Sequence, residues 1–274
     1  MSETTTGTLR VPGARLHYEV RGTGPVLLLI PGGGGDAGVF EPLSAGLTDR
    51  CTVVTYDPRG YSRSPLDGPA RDQRVEEQSD DARRLLDHLS DGPASVFGSS
   101  SGAVVAMDLL VRHPERLRRV VAHEPPLFGV LPDAARHRAM VEGVYGTYRA
   151  EGAHAGMAAF GRAVGMGDFE MPSPGELPPP FAALIERLVS NQPYFLEHEL
   201  RQFTSFLPDV PALRDRSAKL VLAGGRDGRD NLPYRPATEL AAQLATEVVD
   251  FPGGHSGYTD QPAEFAALLC EVLG

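Results

Sequence analysis

Three residue types in this chain have the spacing to cleave an acyl bond together: a serine in a glycine-flanked turn, a distant histidine and an acid to orient it. The serine lies in "PASVFGSSSGAVVAMDLLVRHP", residues 93 to 114. Gly98-Ser99-Ser100-Ser101-Gly102 matches G-x-S-x-G, with Ser100 at its centre. So short a pattern arises often by chance, and its context is what gives it weight. It falls between a strand-like run and an apolar helical run, where a tight turn forces the central residue into strained dihedrals. Glycines two positions away on each side let the backbone cross itself without Cβ clashes. Ser100 would then project from the turn at the positive end of the following helix.

A serine hydroxyl is a poor nucleophile at neutral pH and needs a base, which in turn needs an orienting acid. Of the eight histidines, His255 in "FPGGHSGY" follows the last strand-like run and precedes the last helix. That puts it at the carboxyl edge of the sheet, where ligand sites of open α/β sheets gather. For the acid the choice is Asp227 in "LVLAGGRDGRD", just past the preceding strand, with Asp230 as near rival and Glu124 in "VAHEPP" as the distant one. A fourth feature is "IPGGGGD", residues 30 to 36, whose glycines would let backbone N–H groups meet a developing negative charge. No G-K-[ST] follows it, which argues against a nucleotide-binding loop.

The elements that must position these groups alternate along the chain. Residues 15–20 alternate as a half-buried strand, and 25–31 and 51–60 contain continuous apolar runs ending in turns. Residues 72–90 carry an amphipathic helical pattern, and "ASVF", "LRRVVAHEPP", "AKLVLAGG" and "TEVVDF" complete the strands. Helices are expected near 236–244 and over 262–273. Strands alternating with helices predict an α/β domain with a mostly parallel sheet covered on both faces. Between 127 and 207 the strand pattern stops; 134–150, 181–190 and 193–205 look helical, and "MPSPGELPPP" (171–180) looks like a loop. We therefore expect a core domain formed by 1–126 and 208–274, interrupted by a helical lid over 127–207.

Glycine loop, serine, acid and histidine, in that order, resemble the α/β-hydrolase superfamily, and the resemblance spans nearly the whole chain. The turn "YDPRGYSRS" (56–64) is similar to the family's D-x-R-G-x-x-x-S stretch, with Asp57 and Arg59 bracing loops. The resemblance implies Ser100 as nucleophile, His255 as general base and Asp227 as the orienting acid. It implies an oxyanion hole from the N–H groups of Gly33 and Ser101, with Gly34 a third donor. Pro31 departs from the histidine that often opens the glycine loop, and Ser99 is smaller than the residue usual before the nucleophile, which would open the pocket.

A serine at this position implies acyl chemistry on a small molecule with an acyl or carbonyl group: ester, lactone, thioester or amide cleavage. Carbon–carbon bond hydrolysis, acyl transfer and a non-catalytic binding role stay open as alternatives. Phe128, Phe160, Phe169, Tyr194, Phe195, Phe203 and Phe206, with Met140, Met157 and Met166, are the candidates for the pocket roof, although most would pack lid on core.

Composition narrows the rest. With 274 residues, 41% of them hydrophobic, the chain can bury a large core. A formal charge of −10 disfavours nucleic acid and anionic membranes as partners. Two cysteines, Cys51 and Cys270, imply no disulfide framework, and the polar start lacks a signal-peptide pattern, so a cytoplasmic location is the expectation. No cofactor is expected, and His123 with Glu124 has no third ligand at a spacing suited to a metal.

Overall fold

The computed structural model describes residues 4–167, 175 and 177–274. Its centre is an eight-stranded sheet. The strands are β1 (Thr5–Val11), β2 (Ala14–Arg21), β3 (Val26–Ile30), β4 (Thr52–Tyr56), β5 (Ala94–Ser99), β6 (Leu117–His123), β7 (Leu220–Gly225) and β8 (Val248–Phe251). They lie in the order β1-β2-β4-β3-β5-β6-β7-β8. The first two strands run antiparallel to their neighbours, and every pairing from β4 to β8 is parallel.

Period-two alternation of β3 sends Leu28 and Ile30 to one face and Leu27 and Leu29 to the other. On the first face they meet α2 (Val75–Leu89) and α3 (Ser101–Arg112), through Leu85, Leu86, Val105 and Leu109. On the second they meet Leu43 of the short helix α1 (Glu41–Ala45), together with Phe40, Phe265 and Leu269. Because both faces are covered, the parallel strands read as unbroken apolar runs.

Between β6 and β7 the chain leaves the sheet. It forms α4 (Ala134–Glu151), α5 (Ala153–Val164), α6 (Pro179–His198), α7 (Leu200–Thr204) and α8 (Val210–Asp215). Tyr61, Phe128, Val141, Val164, Phe195 and Leu196 form a third apolar cluster that seats this excursion on the core. The chain ends through α9 (Arg235–Leu244), α10 (Gly257–Asp260) and α11 (Pro262–Leu273).

Three features differ from the sequence expectation. β1 is a strand although its sequence is polar, because an edge strand with mostly exposed side chains needs only its ladder to β2. The segments 181–190 and 193–205 are not two helices: α6 runs through Pro193 to His198 before the chain turns into α7. Helix α5 covers the alanine- and glycine-rich stretch from 153 to 164, for which no element is expected from the sequence. Of the expected loop at 171–180, residues 171–174 and 176 lie outside the described residues.

Candidate active site

Ser100 sits between β5 and α3 with φ +54° and ψ −122°, a conformation that L side chains rarely adopt. Its N–H donates to the His123 carbonyl at 2.9 Å, and its own carbonyl accepts from the Ala103 N–H at 2.8 Å. The flanking glycines are sterically required. A Cβ on Gly98 would stand 2.2 Å from the Gly102 carbonyl oxygen, and one on Gly102 would stand 2.2 Å from that of Ile30. Strand, turn and helix therefore cross at van der Waals contact, and Ser100 is lifted from the crossing.

Ser100 and His255 line one cavity of about 220 Å³. Gly32, Gly33, Gly34 and Ser101 line it too. The glycine loop comes close to the serine: a Cβ on Gly32 would lie 3.1 Å from the Ser100 Cβ. The Gly34 N–H lies near the phenol oxygen of Tyr61.

The imidazole of His255 meets a different carboxyl from the one the sequence favoured. His255 Nδ1 lies 2.5 Å from Glu124 Oε2, and the other oxygen, Oε1, accepts from the Gly225 N–H at 2.9 Å. Glu124 follows β6 with φ +49°, a turn that directs it beneath the histidine, and it is 1% exposed. Burial alone would raise its pKa; the hydrogen bond and charge of His255, with help from His123 and Gly225, outweigh burial and hold it below the ordinary glutamate value. Asp227, by contrast, keeps a side chain 57% exposed beside Arg226, with Gln261 at 3.5 Å. Asp230 is exposed as well. The structure thus brings Ser100, His255, Gly33, Gly34 and Ser101 together and leaves Asp227 on the surface.

His123, next to Glu124, is wholly buried among Phe97, Phe251 and Phe265, with neither ring nitrogen hydrogen-bonded. Burial, with the charge of His255 adding to it and that of Glu124 opposing, lowers its pKa to about 4. It is a neutral ring. Among the described residues no group of three or more His, Cys, Asp or Glu is placed to hold a metal ion.

Of the aromatic and methionine candidates for the roof, Met157, Phe160, Phe195 and Phe203 line the cavity. Phe128, Tyr194, Met140 and Met166 pack in the cluster between helices and core, and Phe206 packs against the main core. Phe169 lies outside the described residues. Ser99 is fully buried beneath the turn and does not open the pocket. The loop that lacks a histidine at position 31 is secured otherwise: Asn191 Nδ2 donates to the Gly34 carbonyl at 2.9 Å, and the Asp36 carboxylate accepts from Gly38 N–H, Ser62 Oγ and Arg187 Nε. Asp57 accepts from Ala37 N–H and from the Arg63 side chain, and Arg59 makes a two-pronged contact with Asp81.

Residues 25–262 match the family model described as alpha/beta hydrolase fold. The chain belongs to that family. It is 42% identical over 273 residues to an uncharacterized hydrolase, YraK, of Bacillus subtilis (strain 168), covering 97% of this chain and 95% of the relative. Among solved structures it is similar to the enol-lactonase from Burkholderia xenovorans LB400, with TM-score 0.71, 20% identity, and 97% and 99% of the two chains covered. A thermophilic esterase from Thermogutta terrifontis superposes with TM-score 0.73 at 20% identity over 100% and 98% of the chains. At those identities the two structures speak for the fold alone, whereas the family match and the bacterial relative make this an α/β-fold hydrolase. No described helix is long and apolar enough to cross a membrane.

Proposed function

We propose that this hydrolase cleaves an ester, lactone or related acyl bond of a small, largely apolar molecule through Ser100, His255 and Glu124. The observation that carries the assignment is the 2.5 Å contact of Glu124 with His255 Nδ1, in a ring that shares its cavity with Ser100. Glu124 takes the role that the sequence favoured for Asp227: it fixes the ring so that Nε2 is the free basic nitrogen, and it stabilises the imidazolium.

Ser100 Oγ attacks the acyl carbon as its proton passes to His255 Nε2. The N–H groups of Gly33 and Ser101 meet the oxyanion. The proton returns to the leaving group, and water repeats the sequence to release the acid. The excursion between β6 and β7 serves as a lid, with Met157, Phe160, Leu188, Phe195, Leu200 and Phe203 as its apolar ceiling. Among the described residues, the cavity lining carries no ionisable side chain apart from His255 and phenolic Tyr258, which favours an uncharged acyl group. The enol-lactonase and esterase of the same fold are named for acyl substrates, which agrees with this choice.

A fluorophosphonate probe tests the assignment. Covalent labelling of the wild type, absent from Ser100→Ala, is the expected result. A folded wild type that resists labelling would make the chain a binding protein of this fold.

A further inference from the structure

Glu199, between α6 and α7, is a buried acid that the proposed reaction leaves unused. It is 2% exposed. Its Oε2 accepts from the Tyr61 hydroxyl at 2.6 Å, while Oε1 is buried without a hydrogen-bond partner. That orphaned oxygen faces the glycine loop: a Cβ on Gly33 would lie 2.7 Å from it. The Ser101 hydroxyl lies near the same carboxyl, and the Gly34 N–H lies near the Tyr61 oxygen. The Glu199–Tyr61 pair therefore stands behind the three residues of the proposed oxyanion hole without lining the cavity itself.

We propose that Glu199 is a positioning residue for the oxyanion hole: it ties the lid at the α6–α7 junction to Tyr61 and fixes Gly33 and Ser101 from behind. This rests on the Ser100 hydrolase assignment. An ionised carboxyl there would set a full negative charge, poorly screened, beside the negative charge that develops on the substrate. The surroundings favour the neutral form. Burial raises its pKa, and the hydrogen bond from Tyr61, with the Ser101 and Gln78 side chains nearby, only partly offsets that.

The titratable groups that face it are the phenols of Tyr61, Tyr56 and Tyr194, each itself raised by burial and by this carboxyl. The buried Arg59 of this region is paired with Asp81 and Glu77, and neighbouring His198 is paired with Asp72. Among the described residues no cation pairs with Glu199.

The test uses p-nitrophenyl butyrate hydrolysis across pH 5 to 10, with fluorophosphonate labelling beside it, on wild type, Glu199→Ala and Glu199→Gln. Glu199→Ala is expected to lower kcat about tenfold or more with KM changed much less, since misaimed donors weaken the transition state rather than binding. Glu199→Gln keeps the shape without the charge and is expected to recover most of that loss. Ionisation of Glu199 should lower wild-type kcat at a pH above the ordinary glutamate range, and the Gln variant should lack that fall. An unchanged kcat in Glu199→Ala, a Gln variant as slow as the Ala variant, or identical pH profiles for wild type and Gln would each overturn the proposal. Should Glu199→Ala not fold, the wild-type and Gln profiles decide. Intact Ser100 labelling with no effect of Glu199 sinks this proposal alone; absence of labelling sinks both it and the assignment beneath it.

Discussion

Glu124 and His255, 131 positions apart, meet at 2.5 Å because the turns after β6 and β8 close over the same edge of the sheet. The carboxylate is buried and anchored by the Gly225 N–H, so it cannot rotate away from the ring. Removing its charge should leave the ring with the wrong tautomer. Glu124→Gln is expected to lower kcat by about 10³- to 10⁴-fold on a p-nitrophenyl ester, the scale found when a triad acid becomes its amide. Asp227→Asn, at an exposed side chain, should stay within about twofold. The opposite ranking of the two variants would return the acid to position 227.

The different legibility of these groups in the sequence has a physical basis. Ser100 and His255 were readable because local pattern marks them: glycines at both crossings of a strand–turn–helix, and a loop between the last strand and the last helix. Asp227 and Glu124 follow neighbouring strands, β7 and β6, and both carry acids of suitable type. What separates them is the direction of one turn. Glu124 adopts φ +49° and points inward, whereas Asp227 lies within a short helical turn, Arg226–Gly228, with its side chain facing water. Nothing in the residue types encodes that direction. Glu199 was hidden for a related reason, since an acid at the end of a helical run reads as solvent-facing until the fold buries it against Tyr61.

The crossing of β5 and α3 on β3 should be intolerant of one methyl group. Gly102→Ala places a Cβ 2.2 Å from the backbone oxygen of Ile30, where no side chain can give way. A loss of about 3 kcal/mol or more is expected, or failure to fold. Gly92→Ala meets nothing within 4 Å and is the control. Thermal unfolding should separate the two by about 6 °C or more for a domain of this size.

His123 should be a stability liability that catalysis does not need. Its two unbonded ring nitrogens are buried among phenylalanines, so His123→Phe removes two unsatisfied polar atoms and keeps the aromatic contacts. Unchanged or higher stability at pH 7 is expected. The pH dependence fixes the cause. The folded-state pKa is about 4 against 6.5 for a free histidine, so only the unfolded chain takes up a proton between those values. The stability present above pH 6.5 is therefore lost as pH falls towards 4, by up to about 3 kcal/mol from this group. Urea unfolding at pH 7 and pH 5 should show a smaller loss for His123→Phe than for wild type; equal losses would mean that His123 is protonated when folded.

The excursion between β6 and β7 is bolted to the glycine loop by an ion pair whose carboxylate is fully buried, and its energetics should betray that burial. Arg187 of α6 donates to Asp36, whose carboxylate is fully buried and also accepts from Ser62 and Gly38. Arg187→Met leaves that carboxylate buried without its cation, and a loss of about 3 kcal/mol or more is expected. Asp36→Asn with Arg187→Met removes both charges while keeping a hydrogen-bonding side chain at position 36, and should recover much of the loss. A double-mutant cycle read by urea unfolding isolates the pair. Because Asn191 on the same helix holds the Gly34 carbonyl, Arg187→Met should also slow fluorophosphonate labelling of Ser100, as the loop behind the oxyanion site loosens. A destabilised variant that labels at the wild-type rate would separate the docking of α6 from the geometry of the glycine loop.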